Sequence, residues 1–222
     1  MGGDLNINHL VYLGHGALWT LGLSAMALIG GGLFGFVLAL ARVSASRALR
    51  WTSGGYIQLI QGTPLLVILF LGYFGLSAIG FQLSPLMAAG ASLTIYNAAY
   101  FGEIWRGCIQ SVPKPQWEAA EGLGLGRAQR MVKVILPQAI RIATPPTVGF
   151  TVQIIKNTSL ASVIGFVELA RAGQIINNSL FKPFLIYAII ALIYFAMCYP
   201  ISRLSRRLER RMALGRAQPI PA

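Results

Sequence analysis

Residues 17–41 read ALWTLGLSAMALIGGGLFGFVLALA, a run of 25 residues without a charged side chain. A helix of roughly 20 apolar residues is long enough to cross the hydrocarbon core of a bilayer, which is about 30 Å thick. The run therefore predicts a transmembrane helix and not a helix on the surface of a soluble domain.

The composition of the whole chain agrees with this prediction. Of its 222 residues, 55% are hydrophobic and 11% are charged, whereas soluble domains carry about 25% charged residues. This composition argues against long disordered tails and against a lone soluble domain. The formal net charge of +12 fits either a nucleic acid or an anionic membrane surface as partner, and the positions of the basic residues decide between them.

Further runs predict four more spans. Residues 51–102 carry no charge, which is too long a run for one helix, and the turn-type sequence at residues 80–85 divides it. Residues 183–202 are also uncharged, and residues 142–167 are interrupted only by Lys156. We therefore predict an all-α membrane protein. Its single domain, residues 1–222, is expected to hold five transmembrane helices at about residues 17–41, 56–79, 86–109, 139–167 and 183–203.

The basic residues predict the orientation of these spans. Fifteen of the 18 Lys and Arg residues lie between spans one and two, between spans three and four, or after span five. They are Arg42, Arg47 and Arg50, then Arg106, Lys114, Arg127, Arg130, Lys133 and Arg141, then Arg203, Arg206, Arg207, Arg210, Arg211 and Arg216. Because positive loops stay in the cytoplasm, the N-terminus is expected outside and the C-terminus inside. The charge therefore indicates topology and anionic lipid contacts, and not nucleic-acid binding.

The loop at residues 113–137 reads PKPQWEAAEGLGLGRAQRMVKVILP. We expect a short helix to start after Pro115, with Glu118 favoured in its first turn by the helix dipole. Three glycines, from Gly122 to Gly126, can end that helix, and a second, amphipathic stretch follows at residues 127–136. A small, flat helix on a cytoplasmic loop fits docking into a groove of another protein or lying on the membrane surface equally well.

This loop resembles the EAA motif of permease subunits of bacterial ABC importers. That motif is Glu-Ala-Ala, three residues, Gly, nine residues, Ile, one residue and Leu-Pro. The chain has Glu118-Ala119-Ala120, Gly124, Val134 in the Ile position, and Leu136-Pro137. Residues 61–66, 100–110, 156–160 and 208–211 resemble the polar amino-acid branch of that family. The chain departs from it at Gln61, where Arg is frequent, and at Asn157, where Asp is frequent.

The resemblance implies a multi-pass subunit of the bacterial inner membrane that pairs with an identical or a paralogous permease. It also implies an external solute-binding protein that delivers an amino acid, and a cytoplasmic ABC ATPase dimer that drives alternating access. The ATPase would receive a coupling helix that contains Glu118, Ala119, Ala120, Gly122, Leu123 and Gly124. Because this chain has no G-x-x-x-x-G-K-[ST] loop, we expect it to bind no cofactor, with ATP and Mg on the ATPase.

Polar residues within the spans indicate a substrate path. A lysine at the centre of a span costs about 2.5–3.5 kcal/mol on insertion scales, so Lys156 requires a partner or a wet cavity. Its neighbours Gln153, Asn157, Thr158 and Ser159 predict locally opened backbone beside such a path. There Lys156, or a nearby amide, would hold the carboxylate of an amino acid. The alternative is that Lys156 snorkels to the outer headgroups.

Two further positions are candidates for the same path. In span two, Pro64 and Gly62 interrupt the helix, and Gln61 and Thr63 can satisfy the freed backbone groups, although a plain kink explains this pattern equally well. In span three, Asn97 lines the cavity or makes an interhelical hydrogen bond. Elsewhere we predict a structural ion pair between Glu103 and Arg106, and close helix packing at Gly31 and Gly35.

The function predicted is that of a permease subunit of an ATP-driven, binding-protein-dependent amino-acid importer. The absence of a carboxylate at position 157 argues against a cationic substrate and favours a polar neutral or acidic amino acid. The alternative is a non-transporting scaffold or sensor that docks an ATPase-like partner. We predict no catalytic residue and no metal site, because no H-E-x-x-H, C-x-x-C or Ser/His pattern is present.

Overall fold

The computed structural model describes residues 5–216, and the side chains of residues 5–212, so the side chain of Arg216 lies outside the described part. Within it the chain is helical without a strand, which confirms the all-α prediction. The helices are α1 Ile7–Val43, α2 Arg47–Gln61, α3 Leu65–Ala78, α4 Pro85–Gln110, α5 Lys114–Gly122, α6 Arg127–Ile164, α7 Leu169–Leu180 and α8 Pro183–Arg216.

Helix α1 begins ten residues before the predicted span because a capping box starts it. The Asn6 side chain accepts a hydrogen bond from the backbone N–H of His9 at 3.1 Å, and the His9 ring accepts one from the backbone N–H of Asn6 at 3.2 Å. The cap satisfies N–H groups that the first turn of a helix leaves free. The apolar run of 25 residues thus forms about two-thirds of a helix of 37 residues.

The predicted interruption at Gly62 and Pro64 is present, and it divides residues 56–79 between two helices. The chain bends by 98° between α2 and α3. Pro64 has no N–H to donate, and the freed groups find local partners: the Gly62 N–H donates to the Gln58 carbonyl at 2.9 Å, and the Thr63 hydroxyl donates to the Leu59 carbonyl at 2.8 Å. The break is therefore much sharper than a plain proline kink.

The number of spans stays a prediction. Within residues 5–216, α1 and α8 are each long and apolar enough to cross a membrane, and the bent pairs α2–α3 and α6–α7 raise that number to four. Helix α4 has 26 residues, which is long enough to cross a membrane. Its small and polar residues make it less apolar than α1 and α8.

Helices α1 and α4 run parallel and pack very closely through glycines of α1. A Cβ atom added at Gly31 would lie 2.7 Å from the Cβ of Asn97, and one added at Gly35 would lie 2.6 Å from the Cβ of Phe101. The predicted close packing at these two glycines is confirmed, and it occurs within the chain. Since α1 and α4 are parallel, the α2–α3 segment carries the chain back to the side from which α1 starts.

This packing predicts a large difference between two glycine-to-alanine variants of α1. In Gly35→Ala the new methyl group collides with Phe101, and such overpacking costs about 1–3 kcal/mol. Gly22→Ala is the matched control, because nothing lies within 4 Å of its added Cβ. We expect Gly35→Ala to lower the thermal midpoint of the purified protein in detergent by several degrees, and Gly22→Ala to leave it unchanged. Equal midpoints would contradict the packing described.

Candidate functional site

The loop between α4 and α6 contains the predicted short helix. Helix α5 starts at Lys114, with Pro115 in its first turn, and ends at Gly122. Gly124 follows with φ of +73°, a left-handed conformation that glycine adopts without strain. A salt bridge of 2.8 Å between Glu121 and Arg130 then ties α5 to the first turn of α6. The helix is thus held in place on the loop and does not hang free.

One face of α5 is packed on the protein and the other is open. Ala120 is 2% exposed, and Trp117 packs against the cluster of Ile135 and its neighbours from α1, α4 and α6. The other predicted coupling residues are exposed, namely Glu118, Ala119, Gly122, Leu123 and Gly124. Leu123 is 79% exposed, which is unusual for a large apolar side chain at the tip of a loop. The arrangement presents a small, partly apolar surface to a partner.

The stretch at residues 127–136, expected as a separate amphipathic segment, is continuous with the following span. It forms the first turns of α6 and includes a π-helical turn at Met131–Ile135. Ile135 is fully buried against the inner ends of α1 and α4. The loop helix is therefore connected mechanically to α6, which carries the polar segment.

The predicted polar segment lies in the C-terminal part of α6. The Gln153 amide donates to the Asn157 side-chain oxygen at 2.9 Å, and Asn157 and Thr158 are buried. Lys156 and Gln153 are exposed on the surface of this chain, and Ser159 is half-buried. The structure thus brings the two amides together beside an exposed lysine.

The expected opening of the backbone at this segment is wrong, because the helix tightens instead. Residues Thr158–Ile164 form a 3-10 helix, and Gly165 ends it with φ of +87°. The hydroxyls of Thr158 and Ser159 donate to the carbonyls three residues earlier, at 2.8 and 2.7 Å. These side-chain bonds compete with the α-helical pattern and favour the tighter winding.

Lys156 lies at mid-depth of the helix bundle. Helix α6 runs antiparallel to α4, and the rings of Tyr100 and Phe150 stack with centroids 5.4 Å apart. Lys156 comes six residues after Phe150, so it is level with Thr94, which packs on Gly30 near the middle of α1. An exposed ammonium at that depth requires a water-filled cavity or a second subunit beside it.

The other predicted path residues are separate from this segment. Gln61 is exposed and Thr63 is half-buried at the α2–α3 bend. Asn97 is fully buried against α1, and within the described residues neither of its side-chain atoms has a hydrogen-bond partner. No hydrogen bond joins these three residues to the amide pair in the described part of the chain.

The predicted pair of Glu103 and Arg106 is present and belongs to a larger cluster. Arg106 donates to the Glu103 carboxylate through Nε at 2.9 Å, and Arg42 of α1 lies 3.9 Å from the same carboxylate. The Arg42 guanidinium also donates to the Arg50 carbonyl at 3.2 Å. The cluster joins the C-terminal ends of α1 and α4 to the first turn of α2, as expected of a structural ion pair.

Sequence reasoning missed two features of the site. The first is an aromatic stack of Tyr96, Tyr100 and Phe150, with centroids 4.6 and 5.4 Å apart, one turn from Gln153. Its signal was available, because Tyr96 and Tyr100 are four residues apart on one helix face. The second is Glu168, which is fully buried and accepts a hydrogen bond from Tyr194 at 2.8 Å. Its only local signal was its place directly before a helical stretch.

Residues 31–214 match the family described as binding-protein-dependent transport system inner membrane component. The chain belongs to this family. It is 40% identical over 209 residues to the probable amino-acid ABC transporter permease YckA of Bacillus subtilis, which covers 94% of this chain and 92% of the relative. It is 36% identical to the glutamine transport system permease GlnP of Escherichia coli, over 90% of this chain and 92% of the relative.

Solved structures agree with this family membership. A crystal structure of an amino acid ABC transporter with histidines matches with a TM-score of 0.86 at 36% identity, covering 94% of this chain and 100% of that one. An inward-facing methionine ABC transporter shares the fold, with a TM-score of 0.74 at 18% identity and coverage of 92% and 99%. Like its relatives, this permease is a transporter subunit and not itself an enzyme, and a separate chain carries the ATPase.

Proposed function

We propose that this permease forms the translocation path of an ATP-driven amino-acid importer and couples to its ATPase through α5. The observation that carries the proposal is that one helix, α6, connects the docking loop to the polar segment. Helix α6 starts at the docking loop, beside Arg130, and ends at the polar segment around Lys156. A movement imposed on α5 by the ATPase would therefore reach the polar segment through continuous helix.

The proposed topology has five spans, an outer N-terminus and a cytoplasmic C-terminus. The spans are α1, the bent pair α2–α3, α4, α6 and α8, and α7 lies outside. The parallel packing of α1 and α4 supports this count, because two parallel spans need an odd number of crossings between the end of the first and the start of the second, and α2–α3 supplies one. On the inner side, Arg203, Arg206, Arg207 and Arg210 form an exposed stripe of α8 that fits anionic lipid headgroups.

This topology predicts opposite labelling of two single cysteines. In a variant in which serine replaces Cys108 and Cys198, we expect Asn178→Cys in α7 to react with a membrane-impermeant maleimide added outside intact cells. We expect Leu123→Cys to react only in inside-out vesicles. Both wild-type residues are exposed on this chain, and the permease is produced without its ATPase so that no docked partner covers α5. Labelling of both cysteines from the same side would contradict the proposed topology.

The proposed partners follow from the family. They are a second permease subunit, identical or paralogous, an ATPase dimer that holds ATP and Mg, and an external binding protein. Helix α5 offers the ATPase Glu118, Ala119 and Leu123 on its open face. The exposed Lys156 faces either the second permease or the cavity between the two permeases.

We propose a polar neutral or acidic amino acid as substrate. The path residues are Gln61, Thr63, Asn97, Gln153, Lys156, Asn157, Thr158 and Ser159, with Lys156 or the amide pair on the substrate carboxylate. The relatives named for glutamine and L-cystine support a neutral substrate. The test measures uptake of a labelled amino acid into vesicles that contain the whole complex, in the presence of unlabelled competitors. Glutamine, glutamate or cystine should suppress the uptake, and suppression by arginine and lysine alone would contradict the substrate class.

A further inference from the structure

The carboxylate of Glu168 holds the start of the outer helix α7. Its two oxygens accept hydrogen bonds from the backbone N–H groups of Ala170 at 3.0 Å and Arg171 at 2.9 Å, as an N-cap does. The residue is fully buried, and no salt bridge to it is formed within the described residues. Burying a carboxylate without a cation is costly unless hydrogen bonds replace its lost contacts with water, and the groups around Glu168 supply such bonds.

Helix α1 supplies the next contact of this carboxylate. The Thr20 hydroxyl lies 3.4 Å from a Glu168 oxygen and accepts a hydrogen bond from the Leu169 N–H at 3.2 Å. One turn earlier, a Cβ added at Gly16 would come within 3.0 Å of the Leu169 Cα and of the Ala172 Cβ. The start of α7 is therefore fixed directly on α1, with no space for adjustment.

Tyr194 of α8 extends the contacts from Glu168 to the polar segment. Its hydroxyl donates to Glu168 at 2.8 Å, and the Thr158 side chain lies next to it. Thr158 is fully buried and directly follows Asn157, which bonds to Gln153. A continuous set of side chains thus connects the outer helix α7 to the amide pair of the path.

We propose that Glu168 is a positioning residue for transport, which makes α7 and the polar segment at residues 153–159 move as one unit. The proposal rests on the proposed function, because it concerns how the outer helix and the substrate path are linked. A helix cap alone requires only the two N–H bonds to Ala170 and Arg171. The additional bond to Tyr194, whose hydroxyl lies next to Thr158, is what a linkage between α7 and the path requires.

The first test is hydrogen exchange of the assembled complex, which does not depend on transport. We compare wild type, Glu168→Gln, Tyr194→Phe and the control Tyr187→Phe, since Tyr187 is 47% exposed on the same helix. Glu168→Gln and Tyr194→Phe should each raise the rate of amide exchange about tenfold or more, at residues 155–160 as well as at residues 169–172. The control Tyr187→Phe should not. Faster exchange confined to residues 169–172 would overturn the proposal, because Glu168 would then be only a cap.

The second test is uptake by the same variants in reconstituted vesicles. Tyr194→Phe should lower the maximal rate per assembled complex about fivefold and change the half-saturating substrate concentration less than about twofold. The double variant should be no slower than Glu168→Gln alone, because both changes remove one linkage. Wild-type rates for Tyr194→Phe, or losses that multiply, would overturn the proposal. Failure of the wild-type complex to take up any amino acid would instead refute the proposed function, and exchange would still decide the role of Glu168.

Discussion

Lys156→Ala is expected to abolish amino-acid uptake while the transporter still assembles. The ammonium is exposed on this chain, and we propose that it borders the cavity between the two permeases that the substrate crosses. Without it the substrate carboxylate loses its cationic partner. We expect uptake by reconstituted vesicles to fall to about a tenth of the wild-type rate or less. Because the side chain packs no core, the amount of purified complex should not change.

Lys156→Arg is the matched variant for this prediction. It keeps the positive charge and changes the geometry of the donor, so it should retain a measurable part of the uptake. Normal uptake by Lys156→Ala would contradict the proposed role of this lysine. Equal and complete loss in both variants would show that charge is not what the site requires. A scaffold would tolerate both variants, which separates that alternative from the importer.

Leu123→Glu is expected to uncouple ATP hydrolysis from the permease. Leu123 is 79% exposed at the end of α5, beside Gly124, and would be buried on docking. A carboxylate placed in an apolar contact carries a desolvation penalty that is not recovered. We expect stimulation of the ATPase by the loaded binding protein to fall about tenfold or more, with loss of ATPase from the purified complex.

The control for this variant is Leu123→Met, which keeps an apolar side chain of similar volume. It should retain most of the stimulation and copurify with the ATPase. If Leu123→Glu copurified with the ATPase and responded like wild type, the open face of α5 would not be the docking surface. The interpretation of α5 as a helix lying on the membrane would then regain support.

Much of the fold followed from local signals in the sequence. The proline and glycines around residues 113–126 set the ends of α5, and the helix starts two residues earlier than predicted. The small residues of α1 predicted a close approach, and Gly31 and Gly35 make it. These features depend on backbone geometry and on the size of side chains, which a sequence states directly.

The features that sequence reasoning missed depend on tertiary contacts. A proline such as Pro64 indicates an interruption, but its angle of 98° is decided by what α2 and α3 pack against. Likewise the hydroxyls of Thr158 and Ser159 were compatible with opened or tightened backbone, and their bonds to earlier carbonyls select the 3-10 winding. Composition could not distinguish these outcomes.

Glu168 shows the same limit for the candidate site. Its partners Thr20 and Tyr194 lie on α1 and α8, 148 positions before it and 26 after it. A single acidic residue beside a predicted span is ordinarily interpreted as a loop residue in water. Only the assembled helices show that the carboxylate is buried and bonded to Tyr194.

The central claim is that this permease, with its ATPase and binding protein, forms an amino-acid importer. The most direct test measures ATP hydrolysis by the complete complex in nanodiscs while single amino acids are added with the binding protein. We predict stimulation by one or a few polar neutral or acidic amino acids. A flat response to every amino acid, from a complex that still contains all its subunits, would contradict the claim.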